Sequence, residues 1–365
     1  MHLCPTLQYF DPEVFPASYR HGCELWQRGV EGLGEGVVSR HFSHPLEEAG
    51  GQPLVCQSVW LGHPKARNVV VLIAGTHGVE GFTGTAVQCD LFNLFNARAF
   101  VLPAGVALLC INALNPWGYL HCRRSDHQGI DVNRNFVDFS RPPPANPGYE
   151  RLRDIFRIAD TAQRTRALAR MAAHMGQREY EIAFSGGQYV DPAGPFYGGE
   201  RPSFSRQVIE ALICEYNLAE RRLAVVDVHT GLGPYGYGEV ICDHPPASPG
   251  VKTARHWYGP GCALPAEGTS CSVPKLGLLD YAWHAIMGDN SCFVTLEFGT
   301  FGTDALFDVL LAEAVAWAEE DTSARVTVAR AMREHFYPHD HYWREAVLLR
   351  SRQVIQQALS GMMES

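Results

Sequence analysis

The pair of residues best placed to do chemistry is His77 and Glu80, in the segment VVVLIAGTHGVEG. The spacing H-x-x-E occurs three times, as His21 with Glu24, His44 with Glu47 and His77 with Glu80, so spacing alone selects nothing. Only the third pair directly follows an apolar run, and Gly75, Gly78 and Gly81 around it permit a sharp turn. An imidazole and a carboxylate at a strand end suit a hydrolytic zinc centre, which takes three protein ligands and keeps one coordination position open. A third ligand is expected at the end of a neighbouring strand. His229 fits, closing LAVVDVHTG, with Asp227 two residues earlier on the same strand face, where it can orient the imidazole. Glu297 lies inside the apolar CFVTLEFGT, an expensive place for a carboxylate without a partner or a task. It reads as a general base for the attacking water, an effect typically worth about 10² to 10⁴ in rate. A buried salt bridge is the other reading.

Between the first and third of these positions lies NPWGYLHCRRSDHQGIDVNRNF, residues 115–136, which carries Arg123, Arg124 and Arg134. Guanidinium groups bind carboxylates bidentately and stabilise a developing oxyanion. Asn133 and Asn135 add uncharged donors beside them. The plainer reading is a solvated basic loop.

These residues need strands to bring them together. Four apolar runs are short enough for buried strands: 69–74 (VVVLIA), 106–111 (VALLCI), 223–228 (LAVVDV) and 292–298 (CFVTLEF). Helical spacing of Val87, Leu91, Leu94 and Phe95 predicts a helix over 84–95. The alternation implies an α/β fold, a mixed and largely parallel twisted sheet flanked by helices on both faces, with its site beyond the carboxyl ends of the strands. The proline-rich RPPPANPG opens a segment, 141–222, read as an insertion into one catalytic domain spanning 1–365. It contains a helix from about 149 to 175, the glycine-rich GGQYVDPAGPFYGG and a helix from about 203 to 216. Residues 304–365 hold helical segments near 304–320, 322–336 and 340–362, expected to pack on the core.

In their order along the chain, H-x-x-E, NP-x-GY, an arginine, G-x-D-x-NRNF, a strand-end histidine and T-x-E-x-G resemble the zinc carboxypeptidases and their relatives, the succinylglutamate desuccinylases and aspartoacylases. The resemblance covers roughly 69–136, 223–231 and 292–300, and with GGQY and FYGG it looks like an uncharacterised bacterial branch. It implies one zinc ion held by His77, Glu80 and His229, with Glu297 as general base and later proton donor. It further implies that Arg124 polarises the scissile carbonyl, that Asn133 and Arg134 hold a terminal carboxylate, and that Asp131 orients His77. In the digestive members a tyrosine caps the substrate; Tyr235, Tyr237, Tyr258 and Tyr281 all lie in the corresponding interval with no motif to choose among them. The expected activity is that of a metallocarboxypeptidase in the proteolysis of short peptides. An N-acyl amino acid deacylase and a non-catalytic binding protein on the same fold stay open.

Composition sets the outer limits. The 365 residues are 46% hydrophobic and 19% charged, near the globular average. A net charge of −9 argues against nucleic-acid and membrane-surface partners. Eleven scattered cysteines, Cys4 among them, form no C-x-x-C pair, and the first residues lack a basic segment followed by an apolar one, so a cytoplasmic protein is expected. No G-x-S-x-G elbow nominates a serine nucleophile. Against that acidic background Arg123, Arg124 and Arg134 are expected to line one positive cleft for an anionic substrate.

Overall fold

Runs rich in Val, Ile and Leu, too short for helices and buried on both sides, form the centre of the molecule. In the computed structural model, which describes residues 10–34, 36–48, 50–319 and 322–364, they are β3 (Asn68–Ala74), β4 (Val106–Asn112), β5 (Arg222–Gly231) and β7 (Cys292–Gly299). Three further strands complete one sheet: β1 (Val38–Glu48), β2 (Gln52–Leu61) and β6 (Gly238–Ile241). The order is β1-β2-β4-β3-β5-β7-β6, with β4, β3, β5 and β7 parallel and the outer strands antiparallel. This is the mixed, largely parallel sheet expected from the alternating pattern.

Side chains alternate across the sheet, so each face has its own core. Val70 and Leu72 pack under the helix Gly81–Asn96 and the final helix His341–Met363, with Phe92 and Trp343. Val69, Val71 and Ile73 pack on the opposite face with Ile209 and Leu212 of the helix Phe204–Glu215 and with Trp283.

Segment 141–222 is broken up more than its periodicity implies. Instead of one helix over 149–175 there are Pro147–Phe156 and Thr161–Met175, followed by Gln177–Ser185. Asp160 makes the break, its carboxylate capping the second helix by accepting the Gln163 N–H at 2.7 Å. Of the three C-terminal helices, His341–Met363 lies along the sheet, and the end of Thr322–Phe336 touches β5, where the Thr230 hydroxyl donates to the Phe336 carbonyl at 2.8 Å. Thr303–Ala318 and Thr322–Phe336 join segment 141–222 in a third apolar cluster, where Phe184 and Phe307 stack with ring centroids 4.2 Å apart. Cys4 lies outside the described residues.

Candidate metal centre and substrate cavity

At the end of β3 the chain turns through Gly75 and Thr76 to His77, and a single helical turn, Gly78–Glu80, brings the carboxylate under the imidazole. The N–H groups of Gly78 and Val79 donate to the carbonyls of Arg124 and Arg123 at 3.2 and 2.8 Å, fastening this turn to the arginine segment. Glycine is required at 78, because a Cβ there would lie 2.1 Å from the carbonyl carbon of Gly118. On the neighbouring strands the register does the rest: β5, paired with β3, sets His229 directly opposite Glu297 of the parallel β7. The four groups therefore meet at the carboxyl edge of the sheet.

His77 Nδ1 lies 2.8 Å from Glu80 Oε1, His229 Nδ1 lies 3.0 Å from Glu80 Oε2, and the two Nδ1 atoms are 3.2 Å apart. The outward nitrogens face carboxylates: His229 Nε2 is 2.7 Å from Asp227 Oδ2, and His77 Nε2 is 3.2 Å from Asp131 Oδ1, off the hydrogen-bonding direction. Both Nδ1 atoms and a carboxylate therefore crowd one point. Burial alone would lower the pKa of His229, but Asp227 and Glu80 raise it well above the ordinary value, so this point draws positive charge. Ligand atoms around tetrahedral zinc, bound at about 2.0–2.1 Å, lie roughly 3.3 Å apart. The spacing and the donor set of His77, Glu80 and His229 fit such an ion, and among the described residues they form a metal-capable group.

The surrounding charges are arranged around that point. Glu80 is 1% exposed; burial pushes its pKa up, yet His77 and His229 hold it below the carboxylate range. Asp131 is held low by Arg124, Arg134 and His77 against the same burial. Glu297 goes the other way: burial and the neighbouring Glu80 push it up to about 7, although the Leu232 N–H donates to it at 3.0 Å. Asp227 accepts the Thr76 hydroxyl on both oxygens, at 3.0 and 2.9 Å, which locks it behind His229.

Arg124, Asn133 and Arg134 line the same cavity as His77, Glu80, His229 and Glu297. Arg124 donates through Nε to Asp131 at 2.9 Å and lies 3.5 Å from Glu80 through Nη1. Arg134 is fully buried; it donates to the Ser185 carbonyl from Nε and Nη2 at 3.2 and 2.7 Å, and to the Asn133 carbonyl from Nη1 at 2.6 Å. Phe196 lies against both guanidinium groups, its ring centroid 5.0 and 5.4 Å away.

Some expectations need correction. Arg123 does not join the cleft: it pairs with Glu313, stacks on Trp317 and lines a separate cavity beyond Arg124. Asn135 is equally structural, its amide donating to the carbonyls of Gly198 and Arg201. None of the four tyrosines lines the cavity: Tyr235 and Tyr237 are exposed, Tyr258 is buried, and the Tyr281 hydroxyl donates to the Lys275 carbonyl. His44, from one of the other H-x-x-E pairs, faces His127 instead, at 3.2 Å. The cavity also holds Asp243, Lys275 and Asp280, which sequence reasoning missed. The available signal was scarcity, since Lys65, Lys252 and Lys275 are the chain's three lysines and the last lies in a largely apolar stretch.

A search of the curated proteins finds no match to the sequence. Among solved structures, the chain is similar to the carboxypeptidase A of Helicoverpa armigera, with 14% identity, TM-score 0.49, and 90% of this chain and 78% of that chain covered. It is also similar to the succinylglutamate desuccinylase of Chromobacterium violaceum, with 14% identity, TM-score 0.37, and coverage of 87% and 74%. A third is the murein-tripeptide amidase of Escherichia coli O157, with 17% identity, TM-score 0.35, and coverage of 83% and 93%. The sequence model of a family described as protein of unknown function (DUF2817) matches residues 33–350, and the chain belongs to that family.

Proposed function

We propose that this protein is a zinc-dependent hydrolase that cleaves an amide bond next to a free carboxylate, acting in the cytoplasm as a metallocarboxypeptidase on short peptides. The observation that carries the reading is the convergence of His77 Nδ1, His229 Nδ1 and the Glu80 carboxylate within 3.2 Å in one cavity with Glu297. When bound by these three residues, zinc supplies a Lewis acid that polarises a carbonyl and makes water a nucleophile near neutral pH.

The remaining work falls to the chain's own groups. Glu297, with a pKa near 7, accepts the proton of the attacking water and returns it to the leaving nitrogen as the C–N bond breaks. Arg124 donates to the carbonyl oxygen as negative charge gathers on it. Arg134 has five N–H groups and uses three on Ser185 and Asn133, which leaves two for the substrate carboxylate. Asn133 stands beside it, its own Oδ1 occupied by the Leu279 N–H at 2.7 Å. Asp131 and Asp227 orient the two histidines.

A free carboxylate beside a scissile amide belongs equally to a peptide C-terminus and to an N-acyl amino acid. A panel of both separates them, with faster turnover expected on the peptides. The mechanism is tested with Glu297→Gln, measuring zinc content beside turnover. The variant should keep about one zinc per chain and lose about 10² to 10⁴ in rate; unchanged turnover in the loaded variant removes Glu297 from the role.

A further inference from the structure

We infer that the cavity wall beside Arg134 is a subsite for a cationic side chain, recognised by the carboxylates of Asp243 and Asp280. The inference rests on the reading above that Arg134 and Asn133 hold the carboxylate of the same substrate residue. Asp243 follows the end of β6, Asp280 begins the short helix Asp280–His284, and Lys275 lies on the loop before it; all three line the cavity with Arg134.

Asp280 is 3% exposed, and its Oδ1 has no hydrogen-bond partner. Its Oδ2 lies 3.6 Å from His284 Nε2, too far for a hydrogen bond. His284 supplies no charge either, because burial and the stacked His244 push its pKa down to about 3. Asp243 is half-buried, which raises its pKa, and the charges that offset this are those of Lys275 and Arg134. Lys275 gives two of its three N–H groups to neutral acceptors, the Ser272 hydroxyl and the Val273 carbonyl.

The charge count then decides the ligand. The wall holds two carboxyl groups and one ammonium. Arg134 helps to offset them only until its charge is taken by the substrate's own carboxylate. Burial and the neighbouring Asp243 push the pKa of Asp280 well above its ordinary value, so the empty wall keeps a proton that an incoming cation displaces, and Asp280 Oδ1 stays buried with no donor until that cation arrives. An ammonium or guanidinium on the same substrate residue supplies both the charge and the donor. An apolar side chain of the same length would seal the acids away from water unpaired, which is strongly unfavourable. An acidic side chain would add a third carboxyl group to the wall.

The test is calorimetric binding of L-lysine, L-norleucine and L-glutamate to the zinc-loaded protein, repeated on Asp280→Asn and Asp243→Asn. Lysine should bind at least tenfold more tightly than norleucine, with glutamate weakest, and each substitution should narrow the lysine-to-norleucine ratio below threefold. The wild-type series decides the matter even if a variant fails to fold. Equal affinities for lysine and norleucine, no measurable lysine binding, or tightest binding of glutamate overturn the inference, the last by making Lys275 the reader. Lysine-selective binding without hydrolysis of any peptide or N-acyl amino acid keeps the subsite and removes the hydrolase reading. Hydrolysis that is indifferent to lysine against norleucine does the reverse.

Discussion

In the proposed site Asp227 holds His229 Nε2 at 2.7 Å, and Asp131 lies 3.2 Å from His77 Nε2. With its Nε2 proton given to Asp227, His229 would offer the metal its Nδ1 lone pair, so this aspartate would set tautomer and ring angle together. Asp227→Asn keeps the shape but weakens that hold on His229, and zinc affinity should fall about 10- to 100-fold in a chelator competition. An unchanged affinity would mean that His229 does not bind the metal. Arg134 is tested by its proposed ligand's charge. Two charge-assisted hydrogen bonds at about 1.5–3 kcal/mol each correspond to roughly 10² to 10⁴ in kcat/KM. Arg134→Ala should therefore slow free-acid substrates by about 10² or more and their C-terminal amides by far less; equal losses would reduce Arg134 to a packing residue. Substitution nearby has the same target, since a Cβ on Gly187, whose φ is +101°, would lie 2.7 Å from Arg134 Cδ.

The elements that carry these residues were legible in the sequence to the extent that their signals are local. Each central strand is an apolar run ended by glycine or a polar residue, and His77, His229 and Glu297 stand at or near those ends, so a reading of strand ends finds them. β1 gave no such signal: it is mostly exposed, lies at the sheet edge, and carries Pro45 where its register with β2 shifts between Ser43 and Glu47. β6 is only four residues long. Arg123 was misplaced because the partner that draws it away, Glu313, is 190 residues distant in sequence. Asp243 and Asp280 were invisible for the same kind of reason, since they join Lys275, which only the scarcity of lysine marks, across the cavity. Segment 141–222 reaches the cavity: Glu181, Ser185 and Phe196 line it, and the Ser185 carbonyl holds Arg134. Asn146 ties this element together, capping its first helix at the Tyr149 N–H and donating to the Gly187 carbonyl at 2.9 Å. Asn146→Ala should lower stability by about 1–2 kcal/mol in urea unfolding and raise KM for free-acid substrates as the support of Arg134 loosens. A stability loss with KM unchanged would separate the insertion from substrate binding.

At the scale of the whole molecule, the net charge of −9 coexists with a cavity whose cations are Arg124, Arg134 and Lys275 rather than the arginine trio read from sequence. The same burial that shapes this cavity makes the fold sensitive to acid. His244 and His284 stack with ring centroids 3.7 Å apart, and His244 Nε2 accepts the Phe293 N–H at 3.0 Å, which requires an unprotonated nitrogen. Burial pushes their pKa values down to about 4 and about 3, the second also through His244. Unfolded imidazoles titrate near 6.5, so below that pH the unfolded chain binds protons that the folded chain refuses, and stability falls as pH falls. Each such histidine contributes a slope of about 1.4 kcal/mol per pH unit between roughly 6.5 and its folded pKa. Glu297 acts in the opposite sense, because between roughly 4.5 and 7 the folded chain holds a proton that the unfolded chain releases. His44 and His335, both pushed down to about 4 by burial, with His127 adding to the effect on His44, act with the stacked pair, whereas Asp126, pushed up to about 6 by burial, and Asp280, pushed well above its ordinary value by burial and Asp243, act with Glu297. The histidines' contribution is a loss of stability from pH 6 to pH 4.5, read in urea titrations by replacing them one at a time. His284→Gln should remove about 1.4 kcal/mol per pH unit from that slope, and an unaltered slope would mean that His284 is already charged in the native state, leaving Asp280 with a counter-ion of its own.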